Sequence, residues 1–212
     1  LPGVCMADSV TRNVEYKHGE VVLEGYVAYD GAVKGKRPGV LVVHEWWGIT
    51  DFTRERCQAL AREGYVAFAV DLYGKGVRTT QREEAARLSG QFKDDPVLLR
   101  ARVRAGLDAL LADEQCDPKR VAAVGYCFGG TAVLHLAFSG ADIAGVVSYH
   151  GVLATDVPVK PGSIKSKIRV FTGEADPGNG HSSIAARGFT ARADIGAAPH
   201  FSVTPASVDA AG

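Results

Sequence analysis

No apolar run in this 212-residue chain approaches the ~20 residues that cross a bilayer, and the opening "LPGVCMADSV" lacks the charged-then-apolar order of an export signal. A soluble protein with no membrane partner is expected. An excess of one charge is also missing, with Lys plus Arg at 24 and Asp plus Glu at 24. No basic field gathers phosphates, which argues against nucleic acid as a partner. The four cysteines, Cys5, Cys57, Cys116 and Cys127, form no CxxC pair and no Cys/His spacing suited to zinc. Neither a disulfide framework nor a metal or other cofactor is expected. Cys57 and Cys116 read as small apolar or surface residues. Because the chain opens on Leu1 rather than Met, it reads as a processed or trimmed form. The expectation is cytoplasmic and monomeric, with periplasm or secretion the alternative if an export signal was removed.

What is present is the composition of a single globular domain over residues 1–212, 46% hydrophobic and 23% charged. "NVEYKH" and "VVLEGYVAYD" alternate on either side of "GE", the pattern of a hairpin turning at Gly19. "RPGVLVVHE" is a continuous β-branched run, as in a strand buried on both faces of a parallel sheet. "DFTRERCQALAREG" predicts a helix with Asp51 as N-cap and Gly64 as its stop. The alternation repeats through "YVAFAVDLYG", "QREEAARLSGQF", the helix opened by Pro96, "RVAAVGY", "GGTAVLHLAFSG", "IAGVVSYHG" and "KIRVFTGEAD". An α/β fold follows, a mainly parallel sheet with helices on both faces after an antiparallel hairpin. Beyond about residue 177 the chain shows no sustained period and reads as loop with one short helix, poorly matched and truncated.

Cys127 lies at the carboxyl end of the strand "RVAAVGY", where ligands bind in open parallel sheets. Gly125, Tyr126, Cys127, Phe128 and Gly129 spell G-x-C-x-G, the thiol form of G-x-S-x-G. A strand turning sharply into a helix strains the residue at the join, and side chains at the flanking positions would clash. The following helix N-terminus favours thiolate, and the Phe128 amide would face a developing oxyanion. A buried packing cysteine is the plainer alternative.

A thiol nucleophile needs a base and a group to orient it, following in the order acid, then histidine. Asp176 ends a later strand on the same sheet edge, with Glu174 its rival. His200 has room to return across the sheet after Asp176; His181, five residues on, is the alternative base. His135 and His150 read as structural, and His18 as a surface residue.

"PGVLVVHEWWGI", "GYVAFAVDLYGKG", "DPKRVAAVGYCFGG" and "GVVSYHG", in this order, resemble the dienelactone hydrolase (carboxymethylenebutenolidase) family of α/β-hydrolases. The resemblance runs from about Val14 to Asp176. It implies the α/β-hydrolase fold and a Cys-His-Asp triad of Cys127, His200 and Asp176, cleaving a lactone or carboxylic ester through a thioester. It makes Glu45 the carboxylate that holds the thiol proton at rest and the Trp46 amide the second oxyanion donor. It sets Lys75 where the family has a substrate-binding arginine, and Thr204 where it has another. Lys supplies charge without a bidentate fork. Two other classes compete: a non-catalytic ligand-binding scaffold and a thiol redox protein.

Overall fold

The structure, a computed structural model, describes residues 9–153 and 157–172 in full and 189–196 and 198–205 as backbone. Its strands are β1 (Ser9–His18), β2 (Val21–Asp30), β3 (Arg37–Val43), β4 (Val66–Val70), β5 (Cys116–Tyr126), β6 (Gly145–Tyr149), β7 (Lys167–Phe171), β8 (Phe189–Gly196) and β9 (Ala198–Pro205). The helices are α1 (Asp51–Arg62), α2 (Arg82–Lys93), α3 (Pro96–Leu111) and α4 (Phe128–Phe138). The strands form one sheet in the order β1-β2-β4-β3-β5-β6-β7-β9-β8. β4, β3, β5, β6 and β7 run parallel, and the outer strands on both sides are antiparallel.

Local chemistry accounts for the elements. β1 and β2 pair from Ser9 with Asp30 to His18 with Val21, and Gly19 makes the turn at φ 59°. Such a left-handed φ costs glycine little. Pro96 opens α3, and the Asp95 carboxylate accepts the Leu98 N–H at 2.9 Å. α1 departs from expectation. Its N-cap is Thr50, and Asp51 is its first helical residue, where the carboxylate still faces the positive end of the helix dipole.

The central strands are buried on both faces. Val40, Val42, Ala67 and Ala69 pack with Cys57 and Ala61 of α1 on one side, and Leu41, Val43, Phe68 and Val70 with α3 and α4 on the other. Each fully buried Val, Leu or Phe contributes about 1.5–3 kcal/mol of transfer free energy. The bland reading of the two other described cysteines agrees with this packing. Cys57 and Cys116 are buried, which pushes their thiols up to about 12 and about 11.

The reading of the chain beyond about residue 177 as loop with one short helix is corrected over 189–196 and 198–205, which are strand, while 173–188 lie outside the described residues. β8 and β9 pair antiparallel, and β9 joins the edge of β7. The signal was there: "FTARADIG" and "APHFSVTP" alternate apolar and polar residues with period two. Alanine and glycine among them obscure the period, because neither weighs heavily as apolar.

Candidate active site

Cys127 is the N-cap of α4 and carries φ 56° and ψ −118°. Among the described residues, Cys127 and His150 are the non-glycines in the left-handed φ region. Holding a side chain there costs about 1–3 kcal/mol and persists only where surrounding structure imposes it. The glycines show what imposes it. A Cβ on Gly125 would stand 2.0 Å from the Gly129 carbonyl oxygen, and one on Gly129 2.3 Å from that of Val43. One on Gly130 would meet the Ser148 hydroxyl at 2.8 Å. The first turn of α4 is thus pressed against the ends of β3 and β6 with no room for side chains. The Cys127 N–H donates to the Tyr149 carbonyl at 2.9 Å, fastening the turn to β6. Cys127 is half-buried and in no disulfide.

Phe128 opens α4, so its amide is among the first four that no intrahelical carbonyl satisfies. Glu45 and Trp46 follow β3 on the same edge of the sheet, both half-buried. The loop they begin is knitted to the loop after β4. The Tyr73 hydroxyl donates to the Trp46 carbonyl at 2.9 Å, and the Thr79 N–H to the Trp47 carbonyl at 3.0 Å. Asp71, at the end of β4, accepts the N–H groups of Tyr73 and Gly74 on one oxygen and that of Glu24 on the other. Its carboxylate is consumed in holding this loop. Trp46 and Trp47 meet edge to face, their centroids 5.0 Å apart.

The parallel register also brings Tyr126, Tyr149 and Phe171 level across β5, β6 and β7. Their rings stack at 5.1 and 4.8 Å. β9 pairs Phe201 with Val170, so continuing that register by one residue sets His200 opposite Phe171, on the edge that carries Cys127. Three strand spacings separate β9 from β5, about 14 Å at ~4.8 Å each. Asp176, Glu174 and His181 lie outside the described residues. Lys75 sits toward the hairpin, its N–H on the Val22 carbonyl and its ammonium paired with Glu15. That pairing, with Glu24 nearby, raises the lysine pKa.

Two residues outside the site expected from the sequence stand out. His44 is buried at the end of β3, its Nδ1 bonded to the Glu45 carbonyl. An ionisable residue closing an otherwise apolar run was the available signal. His150, read as structural, is exposed and left-handed at φ 44°, one residue from the carbonyl that holds Cys127. Among the described residues no cluster of His, Cys, Asp and Glu is arranged to hold a metal ion, and no helix is long and apolar enough to cross a membrane.

A mostly parallel sheet flanked by helices, with antiparallel strands at its N-terminal side and a strained join between a central strand and a helix, is the architecture of the α/β-hydrolase class. The dienelactone hydrolase family model matches residues 23–191, and the chain belongs to that family. It is 34% identical over 128 residues to a carboxymethylenebutenolidase of Pseudomonas sp., covering 56% of this chain and 52% of that protein. The solved structure m3DLH matches with a TM-score of 0.80 at 36% identity, covering 85% of this chain and 75% of that one. A dienelactone hydrolase-like promiscuous phosphotriesterase from metagenomic libraries matches with the same TM-score at 33% identity and the same coverage. The chain spans about half the length of the curated relatives it matches.

Proposed function

We propose that the protein is a cysteine hydrolase that opens a lactone or carboxylic ester through a thioester. The observation carrying this reading is the backbone of Cys127, held at φ 56° by glycines whose neighbours leave no space for a Cβ. Such strain is maintained where a side chain must project for chemistry. The relatives' names supply the substrate class.

In the proposed cycle the Cys127 thiolate attacks the ester carbonyl carbon, forming the C–S bond. The Phe128 and Trp46 amides receive the charge on the carbonyl oxygen. As the tetrahedral adduct collapses, the C–O bond breaks, and His200, oriented by Asp176, gives the leaving alkoxide its proton. Water then attacks the thioester while His200 accepts its proton, and the carboxylic acid departs as the thiolate re-forms. Glu45 holds the thiol proton before substrate arrives, which disfavours thiolate and guards it from oxidation. Small esters or lactones are the partners, and no step calls for a cofactor.

Cys127→Ala should lower turnover of an activated aryl ester by at least about 10⁴-fold. Mass spectrometry of the unsubstituted protein caught during turnover should find an acyl adduct on Cys127. A disulfide or sulfenate there would indicate a redox protein, and no adduct with unchanged turnover in the variant would indicate a scaffold.

A further inference from the structure

We propose that His44 and Tyr73 are positioning residues that clamp the two peptide units flanking Trp46 and so aim its N–H as an oxyanion donor. The inference rests on the hydrolase reading above. It starts from one hydrogen bond, from His44 Nδ1–H to the Glu45 carbonyl. That carbonyl shares a planar trans peptide with the Trp46 N–H, and in such a unit C=O and N–H point in opposite directions. Drawing the carbonyl onto a buried imidazole therefore turns the N–H away from that imidazole.

The imidazole is itself held in one tautomer. His44 is 1% exposed, and its Nε2 faces the Leu72 N–H at 3.4 Å, a long contact that leaves the ring proton on Nδ1. Burial lowers the His44 pKa, opposed by the Glu45 carbonyl and the Asp71 charge, so the ring stays neutral. The Arg102 guanidinium holds the Leu72 carbonyl at 2.7 Å, which steadies the segment behind the ring.

The second clamp acts on the next peptide. Trp46 and Trp47 form a turn, and the central peptide of a tight turn has two orientations related by a flip. The Tyr73 hydroxyl, 2.9 Å from the Trp46 carbonyl, selects one of them. Tyr73 is fixed in turn by its own N–H on Asp71 at 2.9 Å and by its ring, which lies edge-on to His44 at 4.9 Å. The same ring stacks on Phe128 with centroids 6.1 Å apart and planes 19° apart. Phe128 carries the other donor amide, so one buried aromatic cluster touches both halves of the oxyanion site. Preorganised donors of this kind cost no rearrangement when charge develops.

The test compares Tyr73→Phe, His44→Leu and His44→Asn, whose side-chain amide can replace the Nδ1 donor. Single-turnover acylation by 4-nitrophenyl acetate is measured beside alkylation of Cys127 by iodoacetamide, a reaction of the thiolate that develops no oxyanion. Acylation should fall about 10- to 100-fold in Tyr73→Phe and His44→Leu and recover most of the way in His44→Asn. The ester concentration that half-saturates single-turnover acylation and the alkylation rate should change by less than about twofold, because neither depends on the donor. Unchanged acylation in the first two variants, or alkylation falling in step with acylation, would overturn the clamp. If His44→Leu does not fold, Tyr73→Phe decides alone, since it deletes one oxygen. No acyl adduct in the unsubstituted protein would defeat the hydrolase reading, and the clamp's role with it.

Discussion

On the flank of β5 formed by β3 and β4, the residues around Cys127 are held by buried and half-buried hydrogen bonds to backbone: His44 on Glu45, Tyr73 on Trp46, Asp71 on Tyr73 and Gly74. On the flank formed by β6, β7 and β9, stacked rings of Tyr126, Tyr149 and Phe171 lead to an outer strand that runs antiparallel. The first flank belongs to the double-sided core, where burial makes each unsatisfied polar group costly and so locks the loops. The second passes to an antiparallel strand pair at the sheet's edge, where position depends on pairing between distant segments. In the proposed mechanism the nucleophile and oxyanion donors draw on the first flank, and the acid and base on the second.

The largest test of that division compares two histidines on the second flank. His200→Ala should lower kcat for an aryl ester by at least about 100-fold, the scale of general-base catalysis, while His150→Ala should change it by less than about threefold. The opposite ranking would move the base from β9 onto β6, beside the nucleophile.

Next in size is a purely steric change on the first flank. Gly125→Ala sets a Cβ 2.0 Å from the Gly129 carbonyl oxygen, backbone against backbone. Denaturant unfolding should show a loss of about 3 kcal/mol, at the upper end of ordinary overpacking. A loss below about 1 kcal/mol would show that the turn can relax and that the strain at Cys127 is not imposed by its neighbours.

The buried imidazole makes a pH-dependent contribution. Burial depresses the His44 pKa in the folded state, so below about 6.5 the unfolded chain binds a proton that the folded one does not. Stability is therefore full above that pH and declines as pH falls through it toward the folded pKa. The slope from this one group is at most about 1.4 kcal/mol per pH unit. His44→Asn should remove that slope between pH 6.5 and 5, where most carboxylates stay ionised; a slope unchanged in the variant would assign it elsewhere.

The smallest effect is expected at Lys75. Its ammonium is committed to Glu15 on the hairpin, so Lys75→Met should alter KM by less than about twofold for both a carboxylate-bearing ester and a neutral one. A rise of tenfold for the anionic ester alone would bring Lys75 into the substrate site after all.

Much of the first flank was legible residue by residue. The hairpin could be read from alternation around Gly19, α3 from Pro96 and the apolar spacing after it, and the strained strand-to-helix join from Gly125 and Gly129. In each case chain neighbours a few positions apart decide the conformation. His44 escaped notice because its role depends on Leu72 and Glu45 meeting at one ring, and no spacing in the sequence encodes that meeting. The β8–β9 pair escaped because alanine and glycine weaken an alternation that pairing with β7 turns into strand.

Local pattern by itself determined the order of strands and helices from β1 to β7, the buried character of β3 and β4, and the strained join that carries Cys127. Those features follow from side-chain periodicity and from sterics between near neighbours in the chain. Only the tertiary structure decided which backbone atoms exclude a Cβ at Gly129 and Gly130, that His44 and Tyr73 converge on the peptides around Trp46, and that Lys75 turns to Glu15. Those arrangements join segments far apart in the chain, and their geometry exists only once the sheet has set β3, β4, β5 and β6 side by side.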